Sequence, residues 1–310
     1  GQWVEGTGSF NNINPSDTSD QIDSYTSATA QQFEQAVQAA LKAQKEWEKV
    51  GIEKKSQILI KIGDELIAKS KELGELLSRE EGKPLAEGIG EVARAGQQFQ
   101  YYGSECLRLY GERIPSTRPG FQVEISREPL GVIGIISPWN FPIAIPAWKA
   151  APAMMCGNAV ILKPASLTPA SAIELTKIIA NQDIPDGLFN LVLGSGGDIG
   201  NKIATHKDIV AISFTGSVDV GRKLYQDASP FLKKMQMEMG SKNPLVVMED
   251  ADLKTAIACA ANGAYGGTGQ KCTASSRLIV HENLYDDFIK GLIENIKNLK
   301  VGHALDEGTQ

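Results

Sequence analysis

The sequence predicts an α/β fold built on an open parallel sheet with helices on both faces. After Pro129, short apolar runs alternate four times with stretches of helical periodicity. The runs are mostly apolar instead of alternating with polar residues, which is typical of parallel strands buried on both faces. The strand and helix pairs are predicted at 132–136 and 147–155, 159–162 and 170–180, 189–193 and 199–205, and 209–214 and 218–227. Ligands of such sheets bind beyond the carboxyl ends of the strands, so the loops there are the first places to seek a site.

Composition narrows the class of protein. The chain has 310 residues, 42% hydrophobic and 22% charged, which is ordinary for a globular protein and long enough for about two domains. A net charge of −6 argues against a nucleic-acid partner. No signal peptide or apolar run of membrane-spanning length is visible. The four cysteines and three histidines lack the spacing of a zinc site or a disulfide framework, which favours the cytoplasm.

The N-terminal third is predicted to be mainly helical. Residues 2–6 suggest a short strand and turn, and the polar stretch 11–29 suggests a loop. Apolar residues at helical spacing then predict three core helices through 33–47, 59–77 and 89–102, to which we assign no chemistry.

Two further strands follow from alternation with period two. Residues 121–126 predict a half-exposed strand within an excursion at 107–128. Residues 234–239 alternate methionines with polar residues, which places Glu238 on the face opposite the methionines. A glutamate at the end of a buried strand is either a paired structural charge or a general base with a raised pKa.

The loops after the first two sheet strands carry candidate polar groups. Pro138 and Pro142 brace a turn that contains Asn140, whose amide could donate to a developing negative oxygen or simply close its own turn. Lys163 leaves an apolar strand, which indicates either contact with a ribose or phosphate or a surface lysine whose stem covers apolar surface.

Two glycine loops follow the next strands. The loop 194–200 departs from the dinucleotide fingerprint because Ile199 stands in place of the third glycine, so we interpret it as a flexible turn bordering a cofactor. In 214–221, a glycine bend and the Ser217 hydroxyl precede a helix, which favours pyrophosphate binding over a mere tight turn.

Cys272 follows a glycine-rich bend at 266–269 and precedes the apolar run 278–280. A thiol in such a loop is a nucleophile if its thiolate is favoured and reachable. By itself, however, this stretch favours a small buried hydrophobic residue.

Taken together, these motifs resemble the aldehyde dehydrogenase superfamily in order and spacing, across essentially the whole chain. The matching segments are Pro138–Pro142, Leu162–Ala165, Phe214–Ser217 with Gly221, Glu238–Pro244, and Gly269–Cys272.

The resemblance implies an NAD(P)-dependent oxidoreductase with a covalent mechanism. Cys272 would attack the aldehyde, and Asn140 with the Cys272 backbone N–H would form the oxyanion hole. Glu238 would activate water to release the acid, and Lys163 is counted with both the catalytic and the cofactor residues. The implied cofactor residues are Ser137, Trp139, Lys163, Ser166, Gly196, Gly216, Ser217, Gly221 and Met239.

The resemblance also implies a domain organisation. Residues 1–106 and 129–241 would form a Rossmann-like cofactor domain, 107–128 a small β excursion for oligomerisation, and 242–310 the start of an α/β catalytic domain. Family chains run beyond 310 residues, so we expect the rest of that domain outside this chain, and a homodimer or homotetramer for the full-length protein.

Two departures from the family pattern bear on cofactor and rate, and one further residue, Trp148, bears on the substrate. Ser166 replaces a glutamate that is frequent in NAD-preferring members, which favours NADP while leaving NAD possible, because serine does not repel a 2′-phosphate. Ser241 replaces a glycine and is expected to restrict the movement of Glu238. Trp148 stands where succinic-semialdehyde members carry an arginine that would bind the distal carboxylate, which argues against that substrate.

The segments 146–149 and 269–277 resemble the bacterial alpha-ketoglutarate semialdehyde subgroup, whose aldehyde is 2,5-dioxopentanoate. Two alternatives stay open. One is a relative that transfers the acyl group to coenzyme A, which Glu238 disfavours. The other is a catalytically inactive nucleotide-binding fragment.

Overall fold

The computed structural model describes residues 1–310, and its N-terminal third is a hairpin followed by four helices. The elements are β1 (Thr7–Ile13), β2 (Gln21–Ser27), α1 (Ala30–Glu48), α2 (Ile52–Ala68), α3 (Ser70–Glu81) and α4 (Leu85–Glu105). Thr29 starts α1 through a capping box, since its hydroxyl accepts the Gln32 N–H while the Gln32 side chain accepts the Thr29 N–H. The predicted first and third helices are confirmed.

Three predictions for this part of the chain are wrong. Residues 2–6 form no strand, and the stretch 11–29 is mostly strand, because β1 and β2 pair antiparallel. β1 is largely exposed and β2 is only half-buried, so neither strand carries the hydrophobic alternation that would reveal it. The single helix through 59–77 is broken at Lys69, where neither glycine nor proline marks the break and the apolar spacing continues.

The long helices α2 and α4 cross at very close range. A Cβ built on Gly96 would lie 2.6 Å from the Gly63 carbonyl oxygen, and one built on Gly63 would lie 2.6 Å from that of Gly96. Glycine at the crossing therefore lets the two backbones touch. This packing fixes α4, whose first turns reach the loops described below.

The excursion is a two-stranded antiparallel hairpin of β3 (Glu112–Pro115) and β4 (Gln122–Ile125). The predicted strand is confirmed as β4, but all residues of both strands are exposed, so the prediction that it is half-exposed is wrong. The alternation is present in the sequence, but no layer of the chain packs against its apolar side.

A five-stranded parallel sheet forms the centre of the molecule. Its strands are β5 (Val132–Ile136), β6 (Ala159–Lys163), β7 (Phe189–Leu191), β8 (Ile209–Gly216) and β9 (Lys234–Met239), in the order β7-β6-β5-β8-β9. The helices α5 (Ala144–Met155), α6 (Pro169–Ala180), α7 (Asn201–Thr205) and α8 (Val218–Ala228) connect them. Every residue of β5 and β6 is buried, which confirms the predicted open parallel α/β sheet.

The glycine loop before α7 is ordered as helix. Gly196–Gly200 form one turn of π-helix, and the Ser195 hydroxyl accepts the Asp198 N–H at its start. The prediction of a flexible turn is wrong, because a serine cap compensates for the glycines.

The last part of the chain has a small core of its own. The parallel pair β10 (Asn243–Val247) and β11 (Ser275–Val280) packs with α9 (Leu253–Tyr265) and α10 (Tyr285–Lys297). The main cluster of 45 buried residues lies around the central sheet and α1–α4 instead. The domain boundaries stay a prediction. None of the helices combines the length and apolarity needed to cross a lipid bilayer.

Candidate active site

The strand order creates a crevice at the carboxyl edge of the sheet. From the central β5 the chain adds β6 and β7 on one side and β8 and β9 on the other. Loops at such a switch point lead away from each other and leave room for a ligand. The loops that begin at Ser137 and Ser217 flank this crevice.

Cys272 lies on an exposed loop between the glycine-rich bend Gly266–Gly269 and β11. Residues 267, 268 and 269 have φ values of 61°, 57° and 69°, all in the left-handed region. Thr268 carries a branched side chain there, which strains the backbone. Because Cys272 is exposed, its interpretation as a small buried hydrophobic residue is wrong.

The structure brings Asn140 to the cysteine loop. The Asn140 side-chain amide donates to the carbonyl of Gln270 at 2.8 Å, two residues before Cys272. The Asn243 amide donates to the Cys272 carbonyl, also at 2.8 Å. Asn140 therefore does not merely close its own turn.

Ser241 contacts Asn243. Its hydroxyl is 2.7 Å from the Asn243 side-chain oxygen and donates to it, which orients the amide that holds the Cys272 carbonyl. The hydroxyl thus has a partner other than Glu238. Whether Ser241 slows the movement of Glu238 stays a prediction.

Glu238 lies on the exposed face of β9, opposite the half-buried methionines, as predicted. Its carboxylate accepts from the Gln236 amide at 2.9 Å and makes no salt bridge, so its interpretation as a paired structural charge is wrong. The carboxylate is free to face solvent or a ligand, and it does not contact Cys272 in this arrangement.

Lys149 is a candidate functional residue that was not predicted from the sequence. Its ammonium, on α5, donates to the Ser213 hydroxyl at 2.8 Å and to the Gln236 amide oxygen at 3.0 Å. Burial lowers its pKa to about 8, while the nearby Glu238 carboxylate opposes that shift. The available signal was a lysine inside the apolar segment 147–151.

Lys163 and Ser137 form a buried polar pair at the ends of β6 and β5. The Ser137 N–H donates to the Lys163 carbonyl at 3.2 Å, and both residues are only 4% exposed. The Lys163 ammonium meets only carbonyl oxygens, including that of Gly194 at 3.2 Å, and burial lowers its pKa to about 8. The interpretation of Lys163 as a surface lysine is therefore wrong.

These groups fit a nucleotide. The Ser137 hydroxyl is buried without a hydrogen-bond partner, and the adjacent ammonium has no carboxylate within salt-bridge distance. Unpaired buried donors are costly unless a ligand satisfies them. Ribose hydroxyls and phosphate oxygens are acceptors of the required kind, so Ser137 and Lys163 could hold this part of a dinucleotide.

The remaining predicted cofactor residues border the same edge. The Ser166 hydroxyl donates to the Gly194 carbonyl at 3.3 Å, and Trp139 is partly buried. Gly196 is exposed, with open space where a Cβ would stand. They lie at the same edge as Lys163 because the loops after neighbouring parallel strands meet there. Their contact with a cofactor stays a prediction.

The start of α8 is packed against β8 and β9. Ser217 caps the helix by accepting the Val220 N–H, and Gly216 ends β8. A Cβ at Gly221 would lie 2.7 Å from the Met239 sulfur and 3.1 Å from the Phe214 ring. Close packing at Gly221 is therefore confirmed, and the cap leaves the hydroxyl proton of Ser217 available to a ligand.

Three charged residues before and within the first turns of α4, which were not predicted as functional, support the Asn140 loop and the cysteine loop. Lys83, Glu87 and Glu91 contact the Asn140 loop or the cysteine loop. For Lys83 the signal was the charged stretch 79–83 before a predicted helix, which has the appearance of a solvated surface segment.

Known proteins are similar to this chain over nearly its whole length. A sequence model described as the aldehyde dehydrogenase family matches residues 3–310. The chain is 40% identical over 308 residues to alpha-ketoglutarate semialdehyde dehydrogenase of Haloferax volcanii, covering 99% of this chain and 64% of that protein. It is 40% identical over 309 residues to alpha-ketoglutaric semialdehyde dehydrogenase of Bacillus subtilis, covering 99% and 63%.

Among solved structures, an NADP-dependent enzyme of Escherichia coli superposes with a TM-score of 0.97 at 32% identity, covering 99% of this chain and 64% of that chain. The chain thus spans about 64% of the length of these similar proteins.

Proposed function

The chain belongs to the aldehyde dehydrogenase family, and on that premise we propose that its protein oxidises an aldehyde to a carboxylic acid with NAD(P)⁺. The observation that carries the proposal is the meeting of the two loops. Asn140 donates to Gln270 at 2.8 Å, so its amide lies beside the exposed thiol segment. A nucleophile beside a fixed amide donor is what capture of a carbonyl requires.

We propose that the Cys272 thiolate attacks the carbonyl carbon and forms a thiohemiacetal. The carbonyl oxygen becomes negative and accepts hydrogen bonds from Asn140 and from the Cys272 backbone N–H. The Asn140 amide has two N–H groups, and only one is used on Gln270, so the other is available. When bound, NAD(P)⁺ would supply the hydride acceptor that lets the thiohemiacetal become a thioester on Cys272.

Glu238 would complete the cycle as a general base. Its carboxylate takes a proton from water, and the resulting hydroxide attacks the thioester carbon. The carbon–sulfur bond breaks, which releases the acid and returns the Cys272 thiolate. The carboxylate is exposed on β9 and bound only to Gln236, which leaves it able to turn towards the thioester.

For the cofactor we propose NADP, with NAD also used. Ser166 offers a hydroxyl where a carboxylate would repel a 2′-phosphate, and that hydroxyl is already oriented by the Gly194 carbonyl. The similar E. coli structure is described as NADP-dependent, which supports this assignment. Lys163, Ser137 and the Ser217 end of α8 would bind the rest of the dinucleotide.

For the substrate we propose alpha-ketoglutarate semialdehyde, 2,5-dioxopentanoate. Two proteins named for this aldehyde are each 40% identical to the chain. Trp148 is partly exposed on α5, where an arginine would be expected for succinic semialdehyde. A cytoplasmic location and a homodimer or homotetramer built through the exposed β3–β4 hairpin are the corresponding expectations.

The first test follows formation of reduced cofactor by its ultraviolet absorbance in the full-length protein. We expect turnover with 2,5-dioxopentanoate and NADP, and loss of turnover in Cys272→Ala with cofactor binding retained. Cys259→Ala is the matched control, because Cys259 is also an exposed cysteine but lies on α9. Turnover retained in Cys272→Ala would contradict the mechanism.

The second test separates the alternatives. Glu238→Gln should give one burst of reduced cofactor and little further turnover, since the thioester then hydrolyses slowly. Turnover that requires coenzyme A would identify the acylating alternative. Binding of nucleotide with no burst on any aldehyde would identify the inactive nucleotide-binding alternative.

A further inference from the structure

The start of α4 contacts both loops of the candidate active site. Lys83 precedes this helix by two residues, and Glu87 and Glu91 lie four residues apart within it. Residues four apart lie on the same face of a helix. One short segment can therefore reach two loops that are 130 residues apart in sequence, those of Asn140 and Gln270.

Lys83 and Glu91 hold the Asn140 loop. The Lys83 ammonium is buried, donates to the Asn140 carbonyl at 2.7 Å and to Glu91 at 2.6 Å, and lies 4.2 Å from the centre of the Phe141 ring. The other oxygen of Glu91 accepts the N–H groups of Ile143 and Ala144, both at 3.1 Å. The backbone within the turn, at Asn140, and directly after it, at Ile143 and Ala144, is thus fixed to this buried ion pair.

Glu87 holds the cysteine loop. One carboxylate oxygen accepts the Gly267 N–H at 2.8 Å, and the other lies 3.3 Å from the Lys271 ammonium. Gly267 begins the run of three left-handed residues, which includes the strained Thr268. Strained backbone persists only where its surroundings hold it. Glu87 thus contacts the cysteine loop at two points, at Gly267 within the bend and at Lys271 directly before Cys272.

We propose that Glu87 is a positioning residue that sets the cysteine loop against the Asn140 loop, which Lys83 and Glu91 fix from the same segment of the chain. This inference rests on the proposed function, because the distance it controls is that between the Asn140 amide and the carbon attacked by Cys272. Misplacement of reacting groups by about 1 Å can cost on the order of 100-fold in rate. Glu87 itself would touch neither substrate nor cofactor.

The test uses Glu87 because its side chain is 34% exposed, whereas Lys83 and Glu91 are buried and their variants risk unfolding. Glu87→Ala should lower kcat about tenfold or more, with little change in the KM for the cofactor. Glu87→Gln keeps an oxygen acceptor for the Gly267 N–H and should restore most of the rate. Failure of Glu87→Gln to restore it would overturn the role of this hydrogen bond.

Glu105→Ala is the matched control. Glu105 ends the same helix, is 29% exposed and pairs with one cation, Arg108, away from both loops. We expect it to leave kcat unchanged. An equal loss in Glu87→Ala and Glu105→Ala would show a general effect on α4 and would overturn the proposal.

A double-mutant cycle tests whether Glu87 acts on the rate through Asn140 or contributes to the rate independently of it. In the Asn140→Ala background the donor is gone, so Glu87→Ala should reduce the rate by less than about threefold. Losses that multiply would overturn action through Asn140.

Hydrogen–deuterium exchange supplies a readout that does not depend on activity. Backbone amides of residues 266–272 should exchange faster in Glu87→Ala than in the wild-type protein or in Glu105→Ala. Unchanged exchange would overturn the proposal even in an active enzyme. If the wild-type protein has no dehydrogenase activity, the proposed function fails, and the exchange result still decides whether Glu87 holds the loop.

Discussion

The crossing of α2 and α4 offers a sharp test of the packing that supports the site. Gly96→Ala adds one methyl group at a point where a Cβ would lie 2.6 Å from the Gly63 carbonyl oxygen. The obstacle is backbone, which cannot rotate away as a flexible side chain can. The helices must separate, or α4 must shift.

The expected change in the free energy of unfolding of Gly96→Ala is the sum of two opposing effects. Alanine in a helix interior is favoured over glycine by about 0.5–1 kcal/mol. Overpacking a close contact costs about 1–3 kcal/mol. We therefore expect Gly96→Ala to lower the free energy of unfolding by about 1–2 kcal/mol, since the contact is with backbone and the upper part of that range applies.

Gly90→Ala is the control on the same helix. Gly90 is exposed, has a negative φ, and has nothing within 4 Å of an added Cβ. The helix-propensity gain applies there without a clash, so Gly90→Ala should raise the free energy of unfolding by about 0.5–1 kcal/mol.

The assay is equilibrium unfolding in urea, followed by circular dichroism and by tryptophan fluorescence. Gly96→Ala should lower the midpoint and Gly90→Ala should raise it, both with the m-value unchanged. If Gly96→Ala were as stable as Gly90→Ala, the close approach of α2 and α4 would be refuted.

Three further predictions concern the cofactor and the helices. The pKa of Lys163 lies below its usual value, at about 8, so its ammonium is charged below that pH and neutral above it. The affinity for NADP should therefore fall about tenfold between pH values of about 7 and 9. Fluorescence titration should show that Lys163→Met binds NADP weakly and without this pH dependence. Thr29→Ala removes the capping box of α1 and should cost about 1 kcal/mol in urea unfolding. Trp47→Phe removes the indole donor to the Met154 carbonyl, which is 2.8 Å away and buried, and should cost about 1–3 kcal/mol; an unchanged midpoint would show that water replaces the donor.

Much of the architecture was accessible from the sequence because buried parallel strands are apolar along their whole length. The runs that became β5, β6 and β8 are bounded by turn residues, and the methionine alternation that became β9 placed Glu238 on its exposed face. The hairpin β1–β2 was not accessible, because its strands are held by backbone pairing and bury little apolar surface.

The sequence by itself determined the residue types available for chemistry and the loops that carry them. A cysteine after a glycine bend and an asparagine between prolines are local patterns, and a strand end with a lysine is another. Each local pattern left its alternative open, since a motif does not report what lies across from it.

Only the tertiary structure decided which of these groups meet. The amide of Asn140 reaches Gln270 across 130 residues of sequence, and Glu87 reaches Gly267 across 180. Burial likewise removed the surface-lysine alternative for Lys163 and revealed Lys149 and Lys83, because the cost of an enclosed charge depends on its surroundings in three dimensions. Local propensity acts over a few residues, whereas these contacts arise from the packing of α4 against α2 and α5 and the order of strands in the sheet.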